Sequence, residues 1–153
     1  MKVFLTRHAH AGDRSEWSGD DRSRPLTGRG QAQARGLCQA VAAEGITRVM
    51  TSPFLRCIQT VEPLAEALGL PVMTERLLAE GSDWRETLDL VRDSAGPTVF
   101  CSQGDVIGGI VTRLAEMGLV SQGAARWQKG STWALEVHDR SVVSATYIAP
   151  LEV

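Results

Sequence analysis

Thr98-Val99-Phe100-Cys101, continued by Ser102-Gln103-Gly104-Asp105, is the stretch that decides the fold. A short run this apolar does not alternate between a wet and a dry face, so it reads as a strand covered on both sides. A helix to Met117 follows it directly. Moving outward, Val3-Phe4-Leu5 and Arg48-Val49-Met50-Thr51 are runs of the same kind, and helical spacing follows each of them. Thr27 can cap a helix to about Glu44, closed by Gly45, with Ala34, Leu37, Cys38, Val41 and Ala42 spaced i, i+3, i+4, i+7, i+8 as one buried stripe. Ser52-Pro53 predicts an N-cap and first helical turn, and Phe54, Ile58, Val61, Ala65 and Leu68 supply the stripe up to Gly69. Pro63 lies inside that pattern, where a missing backbone donor predicts a kink. Pro71-Val72-Met73-Thr74 predicts a third strand. Ser82 or Asp83 caps a helix to about Arg92, with Glu86 placed for a capping box. Thr132–Val137 and Val142–Ile148 flank His138-Asp139-Arg140-Ser141 and read as a β-hairpin. The expected fold is a three-layer α/β/α sandwich with a mainly parallel central sheet and an antiparallel C-terminal edge hairpin.

The 153 residues suit one domain, 1–153, large enough for a core of its own. A net charge of −2 and a pI near 5.9 give no sign of a nucleic-acid surface. No apolar run approaches the ~18 residues of a membrane span. Arg7 comes too early for a signal-peptide core. Cys38, Cys57 and Cys101 are odd in number, lack metal-ligand spacing and sit in apolar stretches, as buried thiols of a reducing compartment do. The expected location is therefore the cytoplasm. Ala9–Arg24 holds three Asp, one Glu and three Arg with few aliphatics, and reads as a long functional loop.

In open α/β sheets, ligands gather beyond the carboxyl ends of the parallel strands. Thr6-Arg7-His8, Thr51-Ser52-Pro53 with Arg56, and Ser102-Gln103-Gly104-Asp105 all fall there. Taken singly, each has a bland explanation: Ser52-Pro53 begins a helix, Gln103-Gly104 makes a turn, Arg56 is solvated. Taken together they bring a histidine, two arginine forks and two helix N-termini to one sheet edge, which is the chemistry of a phosphate site.

These residues carry a resemblance. Leu5-Thr6-Arg7-His8-Ala9, then Arg24-Pro25-Leu26-Thr27 with Gly30 and Gln33-Ala34, then Ser52-Pro53-Phe54-Leu55-Arg56-Cys57-Ile58-Gln59-Thr60, resemble three successive blocks of the histidine phosphatase superfamily, the phosphoglycerate-mutase-like proteins. Val99–Ile107 and Lys129-Gly130-Ser131 resemble later blocks more loosely. Chain length and the Ser-Pro-Phe-Leu-Arg string look most like the small bacterial phosphohistidine phosphatases of the SixA type. The resemblance implies a phosphohydrolase with His8 as nucleophile, passing through a phosphohistidine, and with Arg7 and Arg56 holding the phosphoryl oxygens, joined by Gln103 and Gly104. It implies no metal and no cofactor. The substrate it implies is a phosphorylated protein or a small phosphomonoester. Nothing in the sequence fixes the oligomeric state.

The sequence departs from the family at Gln103, where a second histidine is usual. A neutral amide still donates a hydrogen bond but carries no charge, so reduced turnover is expected, with a phosphate- or phospho-partner-binding module as the alternative. Glu80 is the candidate general acid and Asp83 the next. His8-x-His10 with Asp13 is a thin metal-ligand set for a chain with three histidines. Trp17, a large aromatic in the polar loop, is expected to flank the site and touch substrate.

Overall fold

The computed structural model describes residues 1–153. Its strands are β1 (Lys2–Arg7), β2 (Arg48–Thr51), β3 (Val72–Thr74), β4 (Thr98–Ser102), β5 (Thr132–His138) and β6 (Ser141–Ile148). Its helices are α1 (Gly28–Val41), α2 (Leu55–Leu68), α3 (Trp84–Arg92) and α4 (Gly104–Glu116). The six strands form one sheet in the order β3-β2-β4-β1-β5-β6. The first three pairings are parallel, while β1–β5 and β5–β6 are antiparallel. This is the mixed sheet expected from the sequence. β4 is central and every one of its residues is buried.

Strand alternation builds the layers. Val3, Leu5, Met50 and Phe100 point to one face and pack with Leu88, Val91, Ile107, Ile110 and Leu114 of α3 and α4. Phe4, Val49, Val99 and Cys101 point to the other and pack with Leu37 and Val41 of α1 and with Cys57, Val61 and Leu64 of α2. Successive residues of a strand thus feed opposite cores, as a period of two requires. Asp139 and Arg140, with φ of 48° and 62°, make the tight turn between β5 and β6.

Three local expectations shift. α1 ends at Val41 rather than near Glu44. α2 begins at Leu55, after an Asn/Asp/Ser-free N-cap at Phe54 that makes no side-chain cap bond. The Ser52 hydroxyl is engaged elsewhere: it accepts from the Phe54 N–H at 3.2 Å and donates to Gln103 Oε1 at 3.1 Å. The helix-start signal at Ser52-Pro53 is therefore spent on tying β2 to β4. α2 then runs through Pro63 as a single helix to Leu68. Thr27 caps α1 by accepting from the Gly30 N–H at 3.1 Å, and Asp83 caps α3 by accepting from the Arg85 N–H at 3.0 Å.

Candidate active site

A cleft of about 1150 Å³ opens at the carboxyl ends of β1 and β4. Arg7, His8, Glu80, Gly104 and Lys129 line it, together with His10, Asp13, Arg14 and Arg24 of the long loop. Arg56 and Gln103 do not line its open part. They are fully buried, with 1% and 0% exposure, and Gln103 lies behind the wall formed by Glu80.

His8 follows β1 and is 4% exposed. Its backbone is fixed on both sides, because its N–H donates to Ser102 O at 3.0 Å and its carbonyl accepts from Gly130 N–H at 3.0 Å. Its Nδ1 lies 2.8 Å from Ala9 O. A carbonyl oxygen only accepts, so Nδ1 carries the proton and Nε2 of the neutral ring keeps its lone pair. Burial, aided by the charges of Arg56, Arg7 and Lys129 and opposed by the bond to Ala9, pushes the His8 pKa down to about 3. Two pH effects follow. The acid limb of kcat/KM should show no break near the ordinary imidazole value of about 6.5, a point that a profile from pH 4 to 9 checks directly. The unfolded ring takes a proton that the folded ring refuses, so the stability His8 contributes is complete above pH ~6.5 and is lost as pH falls from there toward 3.

The arginines show what the site lacks. Arg7 donates through Nη1 to Trp127 O at 2.9 Å, while its Nε is buried with no partner. Arg56 donates to Asp21 O at 2.8 Å and to Asp21 Oδ2 at 3.1 Å, and its Nε is likewise orphaned. Gln103 Oε1 accepts from both the Ser52 hydroxyl and the Glu80 N–H, which fixes the amide orientation and leaves the buried Nε2 unpartnered. These three are the protein's only buried side-chain polar atoms without a hydrogen bond, and each such orphan costs about 1–3 kcal/mol. All three are donors, and all sit where β1, α2 and the β4–α4 turn meet. An anion with several acceptor oxygens satisfies that set. Gly104 lets the Arg7 guanidinium lie against the start of α4, since a Cβ there would come within 2.8 Å of Arg7 Nη2.

Glu80 Oε1 lies 2.6 Å from Arg14 Nη2 and 3.7 Å from Arg56 Nη2, which places the candidate acid at the cleft. Asp83 is not there. Its carboxylate caps α3 and pairs with Arg85, and the cap explains its position fully. Trp17 also lies outside the cleft lining; its indole N–H donates to Asp20 O at 2.9 Å. His10 Nδ1 sits 2.7 Å from Thr27 Oγ1 and Asp13 accepts from Ser15 N–H, so the His8, His10 and Asp13 side chains serve three different partners. Sequence reasoning missed Asp21. Its carboxyl would be raised by burial, but the hydrogen bond from Arg24 and the charges of Arg56 and Arg14 hold it low. It missed Lys129 as well, which burial and the neighbouring arginines depress. The only signal for Asp21 was the charge density of its loop, which does not single out one aspartate of three.

The sequence model described as histidine phosphatase superfamily (branch 1) matches residues 3–90. The chain is 39% identical, over 154 aligned residues and 97% of its length, to the 8-oxo-(d)GTP phosphatase of Mycolicibacterium smegmatis, of which it spans 48%. It is 38% identical over 79 residues to phosphohistidine phosphatase SixA of Escherichia coli, covering 50% of this chain and 47% of that one. The chain thus spans about half the length of these relatives. Among solved structures, SixA complexed with tungstate superposes with a TM-score of 0.75 at 22% identity, covering 99% of this chain and 97% of that one. YhfR of Bacillus stearothermophilus gives 0.68 at 15%, covering 94% of each. These last two likenesses concern the fold, and they agree with the sheet described above. The family match takes in β1, the long loop, both of the first two helices and Glu80, more than half of the chain, and this protein belongs to the histidine phosphatase superfamily, branch 1.

Proposed function

We propose that the protein is a phosphohydrolase in which His8 is the nucleophile, acting on a phosphorylated protein or a small phosphomonoester. The carrying observation is a neutral imidazole with a free Nε2, held on a rigid strand end among three unpartnered donors. The Nε2 lone pair attacks phosphorus, the bond from phosphorus to the leaving group breaks, and the leaving group departs with that electron pair. Water then attacks the phosphohistidine, releasing inorganic phosphate and regenerating His8. Arg7, Arg56 and the Gln103 amide bind the equatorial oxygens, where negative charge concentrates in transfer. The cations supply this charge stabilisation from side chains alone. In this reading Glu80 protonates the leaving group, once its ion pair with Arg14 has opened. Leaving groups that need little protonation therefore suit the site. The 8-oxo-(d)GTP phosphatase named above, similar along nearly the whole chain, supports the small-molecule reading, and SixA supports the phosphohistidine one.

The test is rapid quenching after mixing with a radiolabelled phosphodonor. Phosphorus should be found on His8 as an acid-labile, alkali-stable adduct, and label on another residue, or none, overturns the assignment. Gln103 adds a second measurement. Its neutral amide makes the transition state less well stabilised than a charged donor would, so Gln103→His should raise kcat by about 10²-fold, the usual worth of such a donor. The gain should exceed any change in phosphate affinity. If wild type holds phosphate, forms no phosphoenzyme and gains nothing from Gln103→His, the domain is a phosphate-binding module instead.

A further inference from the structure

The cleft is far larger than a phosphoryl group requires. From Gly104 it follows the exposed side of α4 to Glu116, twelve residues and about 18 Å. Its walls are almost wholly polar. Trp84, the first residue of α3, and Trp127, in the loop before β5, are its only apolar side chains. Both indoles are half-buried and both lie on a glycine floor. A methyl group on Gly108 would come within 2.9 Å of the Trp127 indole, and one on Gly109 would overlap Trp84. Two adjacent glycines on one helix thus let two indoles close on the same stretch of backbone, where both pack against the larger apolar core and also face the cleft.

Trp127 is also tied to the chemistry. Its carbonyl accepts from Arg7 Nη1 at 2.9 Å, and the loop carrying it returns to β1, where Gly130 N–H bonds His8 O. The indole is therefore held at a fixed offset from the phosphoryl site. Arg14, Arg24 and Lys129 also line the cleft, among the carboxylates of Asp13, Glu16 and Glu80; Glu80 pairs with Arg14 and Asp21 with Arg24, which leaves Lys129 as the cation of the three without a carboxylate partner. Along α4 the Arg7 guanidinium lies against Gly104 and the two indoles against Gly108 and Gly109, so the aromatic stretch follows the Arg7 cation by about one helical turn.

We propose that this extension is a nucleoside subsite: Trp84 and Trp127 hold the base of a nucleoside polyphosphate whose terminal phosphoryl group lies at His8. The assignment rests on the phosphohydrolase reading above and names its substrate class. Indoles offer flat, polarisable faces to a base and tolerate any base; the Arg85 guanidinium stacks over Trp84 at 4.6 Å, and Arg7 and Lys129 suit the oxygens of a short phosphate chain. An extended peptide is served poorly. The sheet edges are β3 and β6, away from the cleft, and the backbone donors of α4 beyond its first turn are used inside the helix, so a peptide main chain finds no ladder to join.

Binding to the His8→Ala protein separates this proposal from the reading beneath it, because no turnover intervenes. GTP and inorganic tripolyphosphate carry comparable anionic chains, and only GTP carries a nucleoside. GTP should bind at least tenfold more tightly than tripolyphosphate and should quench tryptophan fluorescence. Trp127→Leu, which keeps an apolar cover over Gly108 and the backbone carbonyl that holds Arg7, should remove most of that advantage, read as the ratio of the two affinities in the same protein. Equal affinity of the two ligands for the His8→Ala protein overturns the nucleoside subsite and leaves the phosphoryl site standing. Failure of both to bind undermines the phosphoryl site itself. A phosphohistidine-containing protein that binds wild type in preference to GTP, and loses affinity with Trp127→Leu, assigns the tryptophans to a protein partner and also overturns the proposal.

Discussion

His8→Ala should lower kcat by roughly 10⁵–10⁶-fold, the loss that follows removal of a nucleophile whose partners remain in place. The partners do remain. Arg7 is anchored on Trp127 O, Arg56 on Asp21, and the Gln103 amide on Ser52 and Glu80, none of them through His8. Inorganic phosphate should therefore still raise the melting temperature of the variant, at concentrations close to those that stabilise wild type. Saturating a site 100-fold above Kd contributes about 2.7 kcal/mol, well within reach of a thermal melt. The fold itself loses one hydrogen bond, Nδ1–H to Ala9 O, a cost of about 1 kcal/mol. The two readouts together distinguish a nucleophile from a structural histidine: the first loses rate and keeps the ligand response, the second loses both. A fall in kcat of less than tenfold, with the melt unchanged, would sink the assignment.

The parts of this protein that were legible in its sequence are those fixed by local periodicity. β4 announces itself because its apolar run leaves no polar alternation, and the hairpin does so because two β-rich runs flank the short polar His138–Ser141 segment. The sheet edge carrying Arg7, His8 and Gln103 could be deduced because strand ends are where parallel sheets present their ligand-binding residues. What stayed hidden is what depends on pairing across the chain. Ser52 read as an N-cap, and only the neighbouring strand end shows that its hydroxyl serves Gln103 instead. Asp21 was one charge among seven in the Ala9–Arg24 loop until the fold laid it against Arg56, 35 residues away. Glu80 stood first and Asp83 next as the candidate acid, and the fold uses Asp83 as a helix cap while Glu80 faces the cleft. Trp17 drew attention by being aromatic in a polar loop, whereas the tryptophans of the cleft are Trp84 and Trp127, whose positions follow from glycines on a different helix.

Arg56→Ala should lower kcat about 10³–10⁵-fold, the range seen when an arginine that stabilises phosphoryl transfer is lost. Asp21 alone hydrogen-bonds the fork, with Glu80 Oε1 3.7 Å from Nη2 and the Phe54 ring 4.9 Å from Cζ. Asp21 takes Nη1 through its backbone carbonyl and Nη2 through its carboxylate, which orients the guanidinium plane and leaves Nε, buried and unpaired, for the phosphoryl oxygens. That division of labour predicts the result of the conservative exchange. A lysine at position 56 restores the charge but concentrates it in one ammonium, which cannot bond Asp21 and the phosphoryl group in the same fixed plane. Arg56→Lys should therefore recover less than about a tenth of the lost rate, even if it recovers most of the phosphate affinity. Stability should suffer less than the burial of Arg56 suggests. Asp21 keeps Arg24 at 3.1 Å and Arg14 at 3.4 Å, so deletion of Arg56 strands no isolated carboxylate in the interior. Steady-state kinetics and thermal melts on the two variants decide the matter. A lysine variant with wild-type kcat would mean that Arg56 supplies only charge, and the Asp21 contact would then have no part in orienting it.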